Sequence, residues 1–418
     1  MLQAMRIIAD LHIHSKWSRA CSPDLVFENI AQAAAKKGLN WVATGDALHP
    51  GWLNEIKEKL APADEAGLFK LRASPSPVRF VLSTEISCIY SRGGKTRRLH
   101  HVVLFPSLEA LEKLISSLEA RKCNLKSDGR PIIGLDSQEL LKLVLDASPE
   151  CLLIPAHAWT PWFSIFGSKS GFDSIEECFG ELAPHIHAIE TGLSSDPAMN
   201  WRISALDDIL LISNSDAHSC AKLAREANVF EMAAPSYSEL RRILIEKDRS
   251  RFIETLEFFP EEGMYHADGH RNCDFWCLPE ETRRLGGLCP KCGKPLTVGV
   301  LYRVDELSDR PAGTRPPQAV PFRSIVPLAE LVADAVECGK TSKKVALIME
   351  RLVAQERTEL GILLELAGPE IAALAGPEIA SSVLNMRNGQ VDIRPGYDGE
   401  YGQVKIKGVK KDRQAELL

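Results

Sequence analysis

The 418-residue chain lacks any apolar run that reaches the ~20 residues of a membrane span. Its opening stretch, MLQAMRIIAD, has neither a full apolar segment nor a small-residue cleavage site, so no secretory signal is expected. Both absences argue against a membrane protein and for a cytoplasmic one. Positive charge is not in excess either: 50 Lys and Arg stand against 56 Asp and Glu, a net charge of −6. That weighs against a protein held on nucleic acid by its overall field alone. Local basic patches remain, in RGGKTRR (92–98) and KTSKK (340–344). A Ser-His-Asp nucleophile pattern and a Walker phosphate loop are also missing; the Gly-rich SRGGK has the wrong spacing.

What is present divides into three parts. From residue 6 to about 258, short β-branched or aliphatic runs end in polar, ligand-type residues. The runs are RIIADLHIH, WVATGD, RFVLSTEIS, LHHVVLF, CLLIPAHAW, HAIETG and ILLISNSDAH. Near-continuous apolar strands suit a parallel sheet buried on both faces. Helical patterns lie between them, as in SPDLVFENIAQAAAKKG, with Ser22 as N-cap and Gly38 as the stop. This rhythm predicts a β/α barrel over residues 1–258, with its chemistry at the carboxyl ends of the strands. A Cys- and His-rich module follows over 259–305. A Pro-rich linker, 306–327, holds too many prolines for a helix or a central strand. Helical patterns then fill a C-terminal domain, 328–418. It contains the internal repeat GPEIAALAGPEIA and a hairpin in VDIRPGYDGEYGQVKI.

The strand ends carry the barrel's chemistry. His12 and His14 are two apart, so on a strand both point to one face. Asp46 and His49, Glu85, one of His100 and His101, His157, Glu190, and the pair Asp216 and His218 follow. Gathered without metal, such groups would be costly and partly like-charged. Two or three divalent ions balance them, and mixed imidazole and carboxylate ligation suits zinc, manganese or iron. Glu85 can bridge two ions. Clusters of this kind hydrolyse phosphate esters. Asp216, Glu85 and His218 are the residues expected to carry the chemistry.

Of the 11 cysteines, six are scattered (Cys21, Cys88, Cys123, Cys151, Cys178, Cys220), mostly in apolar runs, as buried thiols of a reducing compartment are. Cys289 and Cys292 form a C-x-x-C knuckle in CPKCGK, a zinc signal once a second pair is found. His270 with Cys273 has matching spacing, so one structural zinc on His270, Cys273, Cys289 and Cys292 is expected, with Cys277 as the alternate to His270. The loop HAWTPWFSIF supplies Trp159, Trp162, Phe163 and Phe166 directly after His157. Aromatics there suit wedging or stacking against a base. Arg92, Lys95, Arg97 and Arg98 are candidate phosphate contacts.

The motifs DLHIHS, TGDALH, STEIS, HHVVLF, PAHAWTPW and SNSDAHS resemble those of the polymerase-and-histidinol-phosphatase (PHP) superfamily over residues 6 to about 225. Within it, HAWTPWFSIFGSKSGFDS, SNSDAHS…LAREAN and HRNC…CPKCGKPLTVGV…RVDELSDR are similar to the endonuclease Q family of archaea and some bacteria, over nearly the whole chain. The resemblance implies an α/β fold: a distorted seven-stranded β/α barrel of PHP type, then a small zinc-binding module and a mostly helical C-terminal domain. It implies cutting of DNA on the 5′ side of deaminated bases (uracil, hypoxanthine, xanthine) and abasic sites, leaving a 3′-hydroxyl and a 5′-phosphate. The barrel metals would be Zn, Mn, Mg or Fe. The implied ligands are His12, His14, Asp46, Glu85, His101, His157, Asp216 and His218, with His101 preferred because it directly precedes VVLF. A third ion would lean on Asp46, His49 and His218. The expected partners are damaged DNA and replication or repair proteins, with no membrane, for a monomeric, nucleoid-associated protein of the cytoplasm. The competing function is a PHP-type phosphoesterase acting on a small phosphorylated metabolite.

Overall fold

The computed structural model describes residues 4–407. Each of the seven apolar runs forms a strand: β1 (Met5–Asp10), β2 (Trp41–Ala43), β5 (Arg79–Arg92), β6 (Lys95–Phe105), β8 (Leu152–Pro155), β9 (Ala188–Glu190) and β10 (Leu210–Ile212). Others join them. A hairpin, β3 (Leu60–Pro62) and β4 (Phe69–Leu71), and the short β7 (Ile132–Ile133) lie beside β5. Two strands the pattern did not reveal, β11 (Ala227–Met232) and β12 (Phe252–Glu257), follow the runs and extend the sheet beyond β1.

Hydrogen bonding joins 11 strands into one mixed sheet, and β9 with β10 makes a separate parallel pair. The expectation of a parallel sheet holds for β1–β2–β5 and for the pair β9–β10 but fails for other neighbours among the runs. The pairs β1–β11, β11–β12, β5–β6 and β6–β8 are antiparallel. The cause for β5 and β6 is local: Gly93 and Gly94, both at positive φ, fold a two-residue turn that returns the chain on itself.

One apolar cluster takes residues from all seven runs: Ile7, Trp41, Val81, Val102, Ile154, Ala188 and Leu210 are among them. The strands therefore surround a common interior. A larger cluster packs helices against their outer faces. The helix Phe27–Lys37 ends where Gly38 adopts the left-handed conformation, as the pattern required, but it starts at Phe27, four residues after Pro23. Ser107 and Ser236 cap the helices Leu108–Ala120 and Tyr237–Ile245 through their side chains.

Past β12, β13 (Asp268–His270) and β14 (Phe275–Cys277) form a small hairpin. The Pro-rich segment is not a free tether. Its β15 (Phe322–Ser324) pairs parallel with β12 at the sheet edge, where proline is tolerated. Arg310 pairs with Asp207. The C-terminal region is helical: Leu328–Ala335, Lys343–Leu352, Glu359–Leu364, Gly368–Ala375 and Pro377–Arg387, the last two starting at the repeated Gly-Pro. A hairpin, β16 (Val391–Arg394) with β17 (Gln403–Ile406), follows; the expected domain's residues 408–418 lie outside the described residues. Among the described residues no helix is long and apolar enough to cross a membrane.

Candidate metal centre

His12 and His14 leave β1 on the same face, and each imidazole is held from behind by a carboxylate. His12 Nδ1 lies 3.0 Å from Glu190 Oε1, and His14 Nδ1 lies 3.0 Å from Asp46 Oδ1. A neutral imidazole whose Nδ1 donates has only a lone pair at Nε2. Those lone pairs face more oxygen. His14 Nε2 is 3.1 Å from both Glu85 Oε2 and Asp216 Oδ1; His12 Nε2 is 3.5 Å from the former and 3.7 Å from the latter. None of these approaches is aligned as a hydrogen bond, so His12 Nε2, His14 Nε2 and Asp216 Oδ1 are buried polar atoms without a partner. Acceptors turned toward one another in a buried place favour positive charge between them, a proton or a metal ion. The electrostatics agree. Burial opposes a charged imidazole, yet the carboxylates of Glu190 and Glu85 around His12, and of Asp46 around His14, push both well above the ordinary value.

Glu85 is the centre of the arrangement. It sits in mid-strand on β5, not at a strand end, and is almost fully buried. Besides the two imidazoles, it meets His100 Nδ1 at 2.6 Å, His157 Nε2 at 3.2 Å and Arg130 Nη1 at 3.1 Å. Two groups of ligand-type atoms result, each within 4.8 Å internally: His12, His14, Glu85 and Asp216, and Glu85, His100 and His157. They share Glu85, as a bridging carboxylate would be shared. Burial raises the cost of its charge, but His100, Arg130 and His12 hold it well below the usual carboxylate range.

His101, against expectation, does not join either group; His100 does. The β5–β6 register sets Ser87 opposite His100 and Ile86 opposite His101. Paired residues project to the same side, and Glu85 shares its side with Ser87 rather than Ile86. His101 therefore points into the outer core, with Nε2 2.8 Å from Ser137 Oγ and its ring against Phe179. Burial there pushes its imidazole down to about 3.

Asp46, His49 and His218 lie around the two groups rather than in them. Asp46 spends Oδ1 on His14 and Oδ2 on the backbone N–H and hydroxyl of Ser15, at 2.6 and 2.7 Å. Burial disfavours its charge, but His14 and Ser15 hold it below the usual carboxylate value. His49 caps the helix Pro50–Lys59 and stacks on Trp17. His218 stands at the mouth over His14, ring centroids 4.6 Å apart, with Nδ1 2.8 Å from the carbonyl of Asp216. Glu190 likewise supports the groups from behind, accepting from His157 N and Asn214 Nδ2 as well as from His12. Left-handed backbone at Asp46, His157 and Asp216 turns all three toward one place.

The aromatic loop is divided. Trp159 is only 1% exposed, donates to Asn200 Oδ1 and packs on Phe166, so it belongs to the core and not to a base-contacting surface. Phe163 packs under His100 with Arg98 over its ring. Arg97 is bound to the carbonyl of Gly171 and covers Phe172. Trp162 is exposed at 41%. Arg130 was missed because nothing marks a lone arginine in a loop.

Around the β13–β14 hairpin, His270, Cys273, Cys289 and Cys292 bring one donor each within 4.8 Å. The knuckle is shaped by its backbone: Cys292 N and Gly293 N both donate to the Cys289 carbonyl, and Gly293 takes positive φ. Burial raises the cost of a Cys289 thiolate, but backbone N–H groups of Lys291 and Cys292 aimed at the sulfur pull its thiol below the ordinary value. Cys277 is not part of the group. It is buried with its sulfur 3.2 Å from Thr282 Oγ1.

Comparison with known proteins gives this geometry a lineage. The crystal structure of the lesion-specific endonuclease PfuEndoQ from Pyrococcus furiosus superposes with a TM-score of 0.86 at 31% identity, over 99% of this chain and 98% of that one. The chain belongs to the endonuclease Q family. A second family structure, endonuclease Q with a 27-mer duplex substrate bearing an abasic lesion at the active site, matches with a TM-score of 0.84 at 32% identity, over 99% and 100% of the two chains. Residues 327–390 match the family described as MJ0043 C-terminal domain. Protein MJ0043 of Methanocaldococcus jannaschii is 30% identical over 261 residues, 61% of this chain. The match spans only 32% of the length of that relative.

Proposed function

We propose that this chain is a DNA repair endonuclease that hydrolyses the phosphodiester bond 5′ of deaminated bases (uracil, hypoxanthine, xanthine) and of abasic sites. The observation that carries the reading is the pair of ligand groups sharing Glu85, in a chain similar end to end to a lesion-specific endonuclease. His12, His14, Glu85 and Asp216 would hold one divalent ion, and Glu85, His100 and His157 a second. Ions so held supply Lewis acidity, lower the pKa of bound water and neutralise phosphodiester charge.

The protein's own part is orientation and charge. Asp46 and Glu190 fix which nitrogen of His14 and His12 faces the centre. The Arg130 guanidinium, anchored to Glu85 by one nitrogen, has further N–H groups to offer a phosphate oxygen. His218, over His14 and outside both ligand groups, would be the imidazole left to act on the reacting groups. His270, Cys273, Cys289 and Cys292 would close a tetrahedral, structural zinc site with no open position. The same reading divides the chain into a barrel (1–258), a zinc module (259–305), a linker (306–327) and a helical domain from 328.

The test is incubation of the full chain with labelled duplexes bearing uracil, hypoxanthine, xanthine or an abasic site, with magnesium, manganese or zinc, and mapping of the cut. The expected product is a nick 5′ of the lesion, abolished by Asp216→Asn with the circular dichroism spectrum unchanged. Turnover of phosphomonoesters with no cut in any duplex would overturn the reading in favour of a small-molecule phosphoesterase.

A further inference from the structure

The loop after His14 carries an aromatic residue that sequence patterning passed over. Trp17 is 40% exposed, yet its ring is held by several neighbours, Lys16 Nζ among them at 5.9 Å from the centroid. Its ring lies on the imidazole of His49, with centroids 4.5 Å apart and planes at 26°. Gly51 makes room beneath it: a Cβ there would stand 2.5 Å from a carbon of the six-membered ring. The indole Nε1 donates to Glu55 Oε1 at 3.1 Å, and Lys16 Nζ binds the same oxygen at 2.9 Å. His49 is itself fixed, accepting from Gly51 N at 3.2 Å and placing Nε2 3.3 Å from the carbonyl of Lys126.

This stack stands on the rim of the metal centre. The Trp17 carbonyl accepts from Gly129 N at 3.0 Å. Gly129 is pressed against the Asp46 carboxylate, 2.5 Å from where its Cβ would be. The next residue, Arg130, reaches Glu85. One continuous set of contacts thus runs from the Trp17 backbone to the central carboxylate. A lone exposed tryptophan is ordinary. A rigid one, backed by a second ring and tied to the segment that carries Arg130, presents a flat surface at no further ordering cost.

We propose that Trp17 is the platform on which the extruded base of a deaminated nucleotide stacks. The inference rests on the endonuclease reading above and goes beyond it by naming a base-binding residue. Uracil, hypoxanthine and xanthine differ in their hydrogen-bonding edges but all present a planar π-face. Stacking is the contact that serves all three, and its loss typically weakens binding by about ten- to a hundredfold.

An abasic site has no base to stack, so the test is a ratio. kcat/KM is measured on duplexes bearing uracil, hypoxanthine or an abasic site, for the full chain with and without Trp17→Leu, which keeps apolar bulk and removes the ring. The uracil-to-abasic and hypoxanthine-to-abasic ratios are expected to fall tenfold or more, and Trp17→Phe should restore most of the loss. Duplex affinity, read by fluorescence anisotropy in the Asp216→Asn background, should shift by the same ratio. Gly51→Ala, whose methyl displaces the indole without removing it, should act in the same direction. Equal losses on every lesion, or unchanged ratios, would overturn the proposal. Failure of the unsubstituted chain to cut any of the duplexes would instead defeat the endonuclease reading.

Discussion

Asp46 accepts the Nδ1–H of His14 at 3.0 Å, and its other oxygen accepts the backbone N–H of the next residue, Ser15. The carboxylate is therefore engaged away from the centre and acts through His14. Asp46→Asn keeps the shape, loses the charge and leaves the amide free to turn its NH2 toward Nδ1. Metal affinity should fall by about 10- to 100-fold with the number of ions unchanged. Competition titration against a chelator, with metal content per chain, checks this. Loss of one whole equivalent would show that Asp46 is itself a ligand.

The two adjacent histidines on β6 should separate cleanly. His100→Ala removes a group 2.6 Å from Glu85, and one equivalent of metal should go with it. His101→Ala removes a buried hydrogen bond to Ser137 and leaves a cavity beside Phe179. That variant should keep its metals and lose about 1–3 kcal/mol of stability. Metal analysis and urea denaturation of both proteins decide it; the reverse pattern would return His101 to the site.

In the small module, Cys289→Ser should release one zinc and lower the melting temperature, because a closed tetrahedral site contributes to folding directly. Cys277→Ser should retain the zinc, since its sulfur is turned to Thr282. Zinc content and melting temperature of the two variants give the answer, and zinc loss from Cys277→Ser would restore that residue as a ligand.

Beneath the centre, Glu257 is fully buried among the hydroxyls of Thr191, Ser213 and Thr255. Burial, and the charge of Asp196, raise its carboxyl from 4.5 to about 8. Burial and the Glu257 charge raise the neighbouring Glu226 as well. A raised carboxyl binds its proton more tightly in the folded chain than in the unfolded one. Its contribution is complete below pH 4.5 and is lost as pH climbs through about 8. Glu257→Gln is fixed in the neutral state. The stability difference between variant and parent should therefore move in favour of the variant between pH 5 and pH 9, by on the order of 4 kcal/mol. Denaturant melts across that range test it, and a difference independent of pH would refute it.

Much of this is legible in the sequence. All seven apolar runs became strands, because continuous burial imposes a composition that needs no knowledge of neighbours. His12 and His14 share a face because strand alternation is local. The knuckle at Cys289 and Cys292 and the stop at Gly38 are equally local. The Gly93–Gly94 turn pairs Arg92 with Lys95, and counting back from it sets His100 on the side of Glu85.

Other features had no local trace. Arg130 meets Glu85 across 45 residues, and Glu190 meets His12 across 178. Whether a carboxylate binds at the centre or steadies a histidine from behind depends on which side of the ring it occupies. The antiparallel course of β11 was settled by pairing with β1, far away along the chain, and β12 then pairs with β11. By itself the sequence determined the kinds of element and the inventory of ligand-type side chains, since propensity and periodicity act over a few residues. Only the tertiary structure decided which of those side chains meet and which atoms they present. Register and long-range hydrogen bonds are properties of segments brought together, and no single segment contains them.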